Sequence, residues 1–264
     1  MGRVFALLYA TRPDGLLRGT RLVAQIDVLL QRALACGASD LHVRAGVPPL
    51  VRVHGRLQPL PETDSATDSE DILLSMLTES QRQTFDTRSD LDFAYEIPGI
   101  ARFRVNFLRQ HKGLGAVFRL LPSDIRALED LGLPQIVYAL ARMEQGLVLV
   151  TGPTGSGKST TLAAIIDHIN QESDKHIVTI EDPLEFIHAS KKSLVTQREV
   201  GAHTTSFAAA LRAVLREDPD IILLGELRDL ETISLAITAA ETGHLVFGTL
   251  HTRTAASTID RLID

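Results

Sequence analysis

Gly146-Leu-Val-Leu-Val-Thr-Gly-Pro-Thr-Gly-Ser-Gly-Lys-Ser-Thr160 is the stretch from which the rest of the chain is read. Leu147 to Val150 are apolar without interruption, as expected of a buried parallel strand. After Lys158 the apolar residues Leu162, Ile165, Ile166 and Ile169 fall at helical spacing. Between strand and helix lies G-x-x-x-x-G-K-[ST], from Gly152 to Ser159, in the context that makes this spacing a phosphate site. Glycine removes Cβ atoms so that successive N–H groups can turn inward on phosphate oxygens, and the helix presents its positive end to the same point. Gly152, Pro153, Thr154, Gly155, Ser156, Gly157, Lys158, Ser159 and Thr160 are therefore expected to bind a nucleoside triphosphate. Lys158 would reach the β- and γ-phosphates, and the Ser159 hydroxyl would complete a Mg²⁺ shell.

Outward from this loop the chain alternates strands and helices. Strands are expected at 147–151, 176–181, 194–199, 220–225 and 245–250, with helices at about 158–171, 206–217, 229–241 and from 254 onward. Uninterrupted apolar runs such as Ile221 to Leu224 indicate a parallel sheet covered on both faces, hence a P-loop α/β domain. In such sheets ligands sit beyond the carboxyl ends of the strands. Glu181, Asp182 and Glu185 follow one strand there. Glu226 follows Asp220 to Gly225, in the Walker B position, with Gly225 where many P-loop proteins carry aspartate. Direct metal coordination from that position is thereby disfavoured and the role falls on Glu226, partly through water. His251 closes the last strand at the same edge, and His244 precedes it.

The first half reads differently. Ile26, Leu29, Leu30, Ala33 and Leu34 form one face of a helix stopped by Gly37. A hairpin turns at His54-Gly55, and capping boxes pair Thr67 with Glu70 and Thr78 with Gln81. Leu91, Phe93, Tyr95 and Ile97 alternate with polar residues, as do Ala101, Phe103, Val105 and Phe107. Another strand, Leu114 to Leu120, follows. These elements make an α+β domain over 25–121, after a flexible leader at 1–24 and before a linker at 122–134; the P-loop domain takes 135–264. Arg104 and Arg119 sit on outward strand positions. They are either solvated or aimed at a neighbouring nucleotide, where a guanidinium fork suits phosphate. His42 and His54 lack metal-site companions and are read as structural or surface residues.

Composition sets limits. At 264 residues, 44% hydrophobic and 23% charged, the chain has globular proportions and room for two domains. A net charge of −6 argues against nucleic acid as the partner, because a basic footprint is the usual sign. Cys36 is the single cysteine, which excludes a disulfide framework or cysteine-rich zinc module within these residues and points to a reducing compartment. No apolar run approaches the ~20 residues needed to cross a bilayer, so membrane association would go through a partner or a surface.

Taken together, Ala38-Ser-Asp-Leu-His42, Arg102-Phe-Arg-Val-Asn106, Gly152 to Thr160, Thr179 to Phe186, Gln197-Arg-Glu-Val200, Leu215-Arg-Glu-Asp-Pro219, Gly225-Glu-Leu-Arg-Asp229 and Gly248 to Thr252 resemble the type IV pilus retraction ATPases of the secretion-ATPase superfamily. The resemblance implies a PAS-like N-terminal α+β domain followed by a RecA-like ATPase domain. It implies a cytoplasmic homohexamer, peripheral at the inner membrane, that hydrolyses ATP with Mg²⁺ and engages an inner-membrane platform protein and the pilus machinery. By the same resemblance Lys158 and Ser159 belong to Walker A, Glu185 is the catalytic glutamate of an aspartate box supported by Glu181 and Asp182, and Glu226 is the Walker B glutamate. His251 and His244 belong to a histidine box, and Arg104 and Arg119 reach nucleotide across a domain or subunit boundary. Members of the family continue beyond the point matching Asp264, and the pattern of Ala256, Ile259 and Leu262 has not ended there, so an incomplete motor domain is expected. The alternatives are a pilus-extension or type II secretion ATPase of the same superfamily, and a nucleotide-gated scaffold with little turnover. A helicase is disfavoured because no basic, aromatic-laced path is present.

Overall fold

The computed structural model describes residues 19–61, 69–252 and 255–263. Residues 1–18 of the expected leader and Thr67 of the first expected capping box lie outside these. The described residues fall into two compact units, those within 19–92 and 105–119 and those within 93–104 and 120–263.

The first unit opens on α1, Gly19–Ala35. The helix starts earlier than the sequence pattern suggested, at Gly19. Ile26, Leu30 and Ala33 are buried, and Gly37, at φ +68°, ends the run in the left-handed region glycine adopts freely. β1 (Asp40–Arg44), β2 (Val47–Val53) and β3 (Arg56–Pro59) follow as an antiparallel meander, its second turn made by His54 and Gly55 at positive φ. α2 (Ser69–Ser75) packs with α1 against β1. Glu70 accepts a hydrogen bond from the Leu114 N–H at 2.8 Å. α3 (Glu79–Arg88) carries the expected capping box, Thr78 and Gln81 bonding each other's backbone N–H. The strands β4 (Asp90–Ile97), β5 (Ala101–Gln110) and β6 (Gly113–Leu121), of which residues 93–104 and 120–121 group with the second unit, complete a six-stranded sheet of order β3-β2-β1-β6-β5-β4. The period-two alternation of β5 buries Val105 and Phe107, the latter edge-on to Phe85 at 5.9 Å between ring centroids.

The second unit is built on a parallel sheet. A short 3₁₀ turn over Leu128–Leu131 and α4 (Ile136–Ala141) precede β7 (Gly146–Thr151) and α5 (Lys158–Glu172). β8 (His176–Glu181), β9 (Leu194–Glu199), α6 (Phe207–Val214), β10 (Ile221–Leu224), α7 (Leu230–Glu241), β11 (Leu245–Leu250) and α8 (Ala255–Ile263) follow. Strand order is β7-β11-β10-β8-β9, every adjacent pair parallel. All of β10 is buried because its side chains feed two cores in turn. Ile222 and Leu224 pack with Leu211 and Val214 of α6 and Ile233 and Ala236 of α7. Ile221 and Leu223 pack with Leu162, Ile165, Ile166 and Ile169 of α5. Each fully buried aliphatic contributes about 1.5–3 kcal/mol, so coverage of both faces holds the strand ends in place. Among the described residues no helix is long and apolar enough to cross a membrane.

Candidate nucleotide hydrolysis site

Parallel strands alternating with helices bring β7, β8, β10 and β11 to one carboxyl edge, and a cleft of ≈ 490 Å³ opens there. The loop Gly152–Gly157 forms one wall. Its glycines are dictated by geometry: Gly157 sits at φ +90°, and a Cβ on Gly152 would meet the Ser156 Oγ at 2.8 Å. α6 and α7 are capped at their amino ends by the Ser206 and Asp229 side chains. α5, by contrast, starts from Gly157 with no side-chain cap, so its first amides are left for an anion.

Lys158 is 9% exposed, and its Nζ donates to Gly152 O (2.9 Å) and Pro153 O (3.0 Å). A phosphate offers the ammonium a charged acceptor in exchange for these carbonyls. Nζ also lies 3.5 Å from Nδ1 of His251, whose Nε2 is 3.4 Å from Glu226 Oε1. An ammonium can only donate, so Nδ1 accepts and Nε2–H faces the carboxylate. The other oxygen of Glu226 accepts from Arg228 Nε at 2.8 Å, and Arg228 Nη1 reaches Asp182 Oδ2 at 3.6 Å. The ends of β7, β11, β10 and β8 are thereby joined in one charged chain: Lys158, His251, Glu226, Arg228, Asp182.

Glu185 lines the same cleft, as do Thr154, Gly155, Ser159, Thr160, Glu181 and Asp182. Glu181 accepts from Thr179 Oγ1 at 2.8 Å and from the Glu185 N–H at 3.3 Å. Glu181 is half-buried at the cleft, and burial raises its pKa from an ordinary 4.5 to about 7 against the lowering effect of these hydrogen bonds. The glycine in the Walker B strand has a steric origin: a Cβ on Gly225 would stand 3.3 Å from Glu181 Cα and 3.4 Å from Ile180 O. The strand that carries Glu181 leaves no room for a longer side chain there.

Of the other expected residues, His244 stands at the opposite end of β11 and Arg119 groups with the first unit. His244 precedes β11 and His251 follows it, so six strand residues, about 20 Å, separate them. Its Nδ1 is 2.9 Å from Ala239 O and its N–H donates to the same carbonyl, closing the end of α7. Arg119 pairs with Asp40 at 2.9 Å across β1 and β6. Burial pushes Asp40 upward, but the Ser39 hydroxyl and Arg119 outweigh it and hold the carboxyl below its usual range. Arg104 groups with the second unit and borders the cleft, and Arg102 Nη1 donates to Leu184 O at 3.3 Å. Arg228 is the participant that sequence reading left without a role, although it stands inside the quoted Gly225–Asp229 motif.

The donor set suits magnesium carried by a triphosphate. Ser159 and Glu226 supply hard oxygen atoms, and among the described residues no cluster of three or more His, Cys, Asp or Glu forms a metal site by itself.

The family model for type II/IV secretion system proteins matches residues 19–264. The chain is 54% identical over 244 residues to the Pseudomonas aeruginosa type IV pilus retraction ATPase PilT, covering 90% of this chain and 70% of that one. It is 55% identical over 218 residues to a Neisseria gonorrhoeae twitching motility protein, covering 82% of this chain and 58% of the relative. Among solved structures, the pilus retraction motor PilT with bound ADP superimposes with a TM-score of 0.86 at 50% identity, over 89% of this chain and 69% of that one. With the family model matched over residues 19–264 and 54% identity to PilT over 90% of this chain's length, the chain belongs to the type II/IV secretion system protein family.

Proposed function

We propose that this chain is the ATP-hydrolysing subunit of a motor that powers type IV pilus retraction. The observation that carries the reading is the convergence of Lys158, His251, Glu226 and Glu185 on one cleft at the carboxyl edge of the parallel sheet. Identity of 54% to a retraction ATPase supports the choice of retraction.

In the proposed reaction water attacks the γ-phosphorus, the bond from that phosphorus to the β,γ-bridging oxygen breaks, and ADP leaves with the electron pair. Backbone amides of Gly155 and Gly157 and the ammonium of Lys158 hold the β- and γ-oxygens and receive the developing charge. Glu185 accepts the proton of the attacking water. Glu226, fixed from two sides by His251 and Arg228, orients that water. Mg²⁺, held by Ser159 and, through water, by Glu226, would supply further charge neutralisation at the phosphates. His251 touches both Lys158 and Glu226, so loss of the γ-phosphate is felt at the end of β11 and passes to the chain that follows.

Assembly is part of the proposal: a homohexamer at the cytoplasmic face of the inner membrane, docked on the pilus platform protein, with Arg104 and Arg119 serving nucleotide across domain or subunit boundaries. The N-terminal sheet region, 25–121, would then be the PAS-like domain and 135–264 the RecA-like one. Deletion of the gene and complementation with the parent or with Lys158→Ala tests this. Retained or excess surface pili with lost twitching, restored only by the parent, is the expected result. Loss of pili would assign an extension ATPase instead, and unchanged twitching would contradict both.

A further inference from the structure

The segment from Pro183 to Ser193 carries Glu185 but forms no helix or strand of its own. Side chains satisfy its backbone instead. The Leu184 N–H donates to Glu199 Oε2 at 3.1 Å. Glu181 accepts the Glu185 N–H, and Gln197 takes two groups further on: its Nε2 donates to Phe186 O at 2.9 Å and its Oε1 accepts from the His188 N–H at 2.7 Å. Asn170, wholly buried on α5, donates to Ala189 O at 2.8 Å and accepts from the Lys191 N–H at 2.9 Å.

Gln197 sits on β9, opposite Thr179 of β8. In a parallel ladder one residue's N–H and C=O bond the C=O and N–H that flank its neighbour. The Gln197 carboxamide makes this pair of bonds to the groups on either side of Ile187, so it stands in for a strand that the segment does not form. Glu199 lies two positions on, hence on the same side of β9. Glu185 is thus bracketed by Leu184, buried and held by Glu199, and Phe186, buried and held by Gln197. With both neighbours anchored inward, its side chain is left to the cleft it lines.

We propose that Gln197 is a positioning residue for hydrolysis, setting Glu185 through the backbone of Phe186 and His188. The proposal rests on the reading of Glu185 as the proton acceptor. A shift of about 1 Å in such a group costs on the order of 10²-fold in rate while leaving phosphate binding alone.

The test compares kcat, KM and nucleotide Kd for Gln197→Leu and Gln197→Glu, each alone and combined with Glu185→Gln. Gln197→Leu removes both bonds and also the hydrogen-bonding influence of Gln197 on the Glu181 carboxyl, which Gln197→Glu perturbs differently. Gln197→Glu keeps the acceptor for the His188 N–H and loses the donor to Phe186 O, so it carries the test if the leucine variant does not fold. Each is expected to lower kcat about tenfold or more, with KM and Kd within about twofold. In the Glu185→Gln background neither should lower kcat further, since two residues acting as a unit are not additive. Unchanged kcat in both single variants, losses that multiply in the double variants, or a rise in KM with constant kcat would each overturn the proposal. If Glu185→Gln alone leaves kcat intact, the role of Glu185 fails first and takes the positioning role with it.

Discussion

At the scale of single residues, the charged chain across the strand ends makes unequal demands on its members. Lys158 is the one cation that the loop itself cradles, and a charge-assisted hydrogen bond contributes about 1.5–3 kcal/mol. Lys158→Ala is therefore expected to weaken nucleotide binding by roughly 10- to 100-fold, read by titration with a fluorescent ATP analogue. Glu181 gives a pH signature. Its pKa is raised from 4.5 to about 7, so the folded chain keeps a proton that the unfolded chain releases. That contribution to stability is full below the unfolded value and is lost as pH rises through about 7. Glu181→Gln stays neutral throughout, so its melting temperature should match the parent near about pH 4 and exceed it by a few degrees at about pH 8. Equal melting curves at both pH values would show that burial does not hold a proton on this carboxyl. At Gly225, a methyl group meets the backbone of β8 at 3.3 Å, and Gly225→Ala should cost about 1–3 kcal/mol in denaturant unfolding.

At the scale of elements, legibility followed whether a residue's partners were local or distant. The buried strands could be read because strands covered on both faces need no polar positions, and Ile221 to Leu224 pack into two cores in turn. The alternation along β5 announced its inward face for the same reason. Capping is also local, so Thr78 and Gln81 could be paired by their spacing alone. The Asp229 cap of α7 uses the same physics: it accepts from the Thr232 N–H at 2.8 Å, and Asp229→Ala should cost about 1 kcal/mol of stability. The place of Glu226 at the carboxyl edge was legible because it follows the buried strand Ile221–Leu224 by one glycine. What could not be read were bonds between residues distant in sequence. Asp40 claims Arg119 from 79 positions away, and the partners of Gln197 are main-chain groups that leave no mark in composition. The placement of His244 before β11 and His251 after it was legible, whereas the Ala239 carbonyl that His244 meets was not.

At the scale of the whole molecule, a motor needs its hydrolytic groups tied to elements that move together. α5 bears Lys158 and Ser159 at its start and, through Asn170, grips the segment that carries Glu185. His251 follows β11, so the Lys158–His251–Glu226 contacts lie where the γ-phosphate is expected and where the chain departs from the sheet. The proposed function stands or falls on whether this cleft turns over ATP rather than only holding it. The direct measurement is steady-state Mg²⁺-dependent phosphate release by the assembled protein, parent against Glu226→Gln, with nucleotide affinity measured on the same samples. Loss of one group that orients water is expected to lower kcat by about 10²-fold or more while affinity stays within a few-fold. Turnover undiminished in an assembled Glu226→Gln protein would contradict hydrolysis at this site.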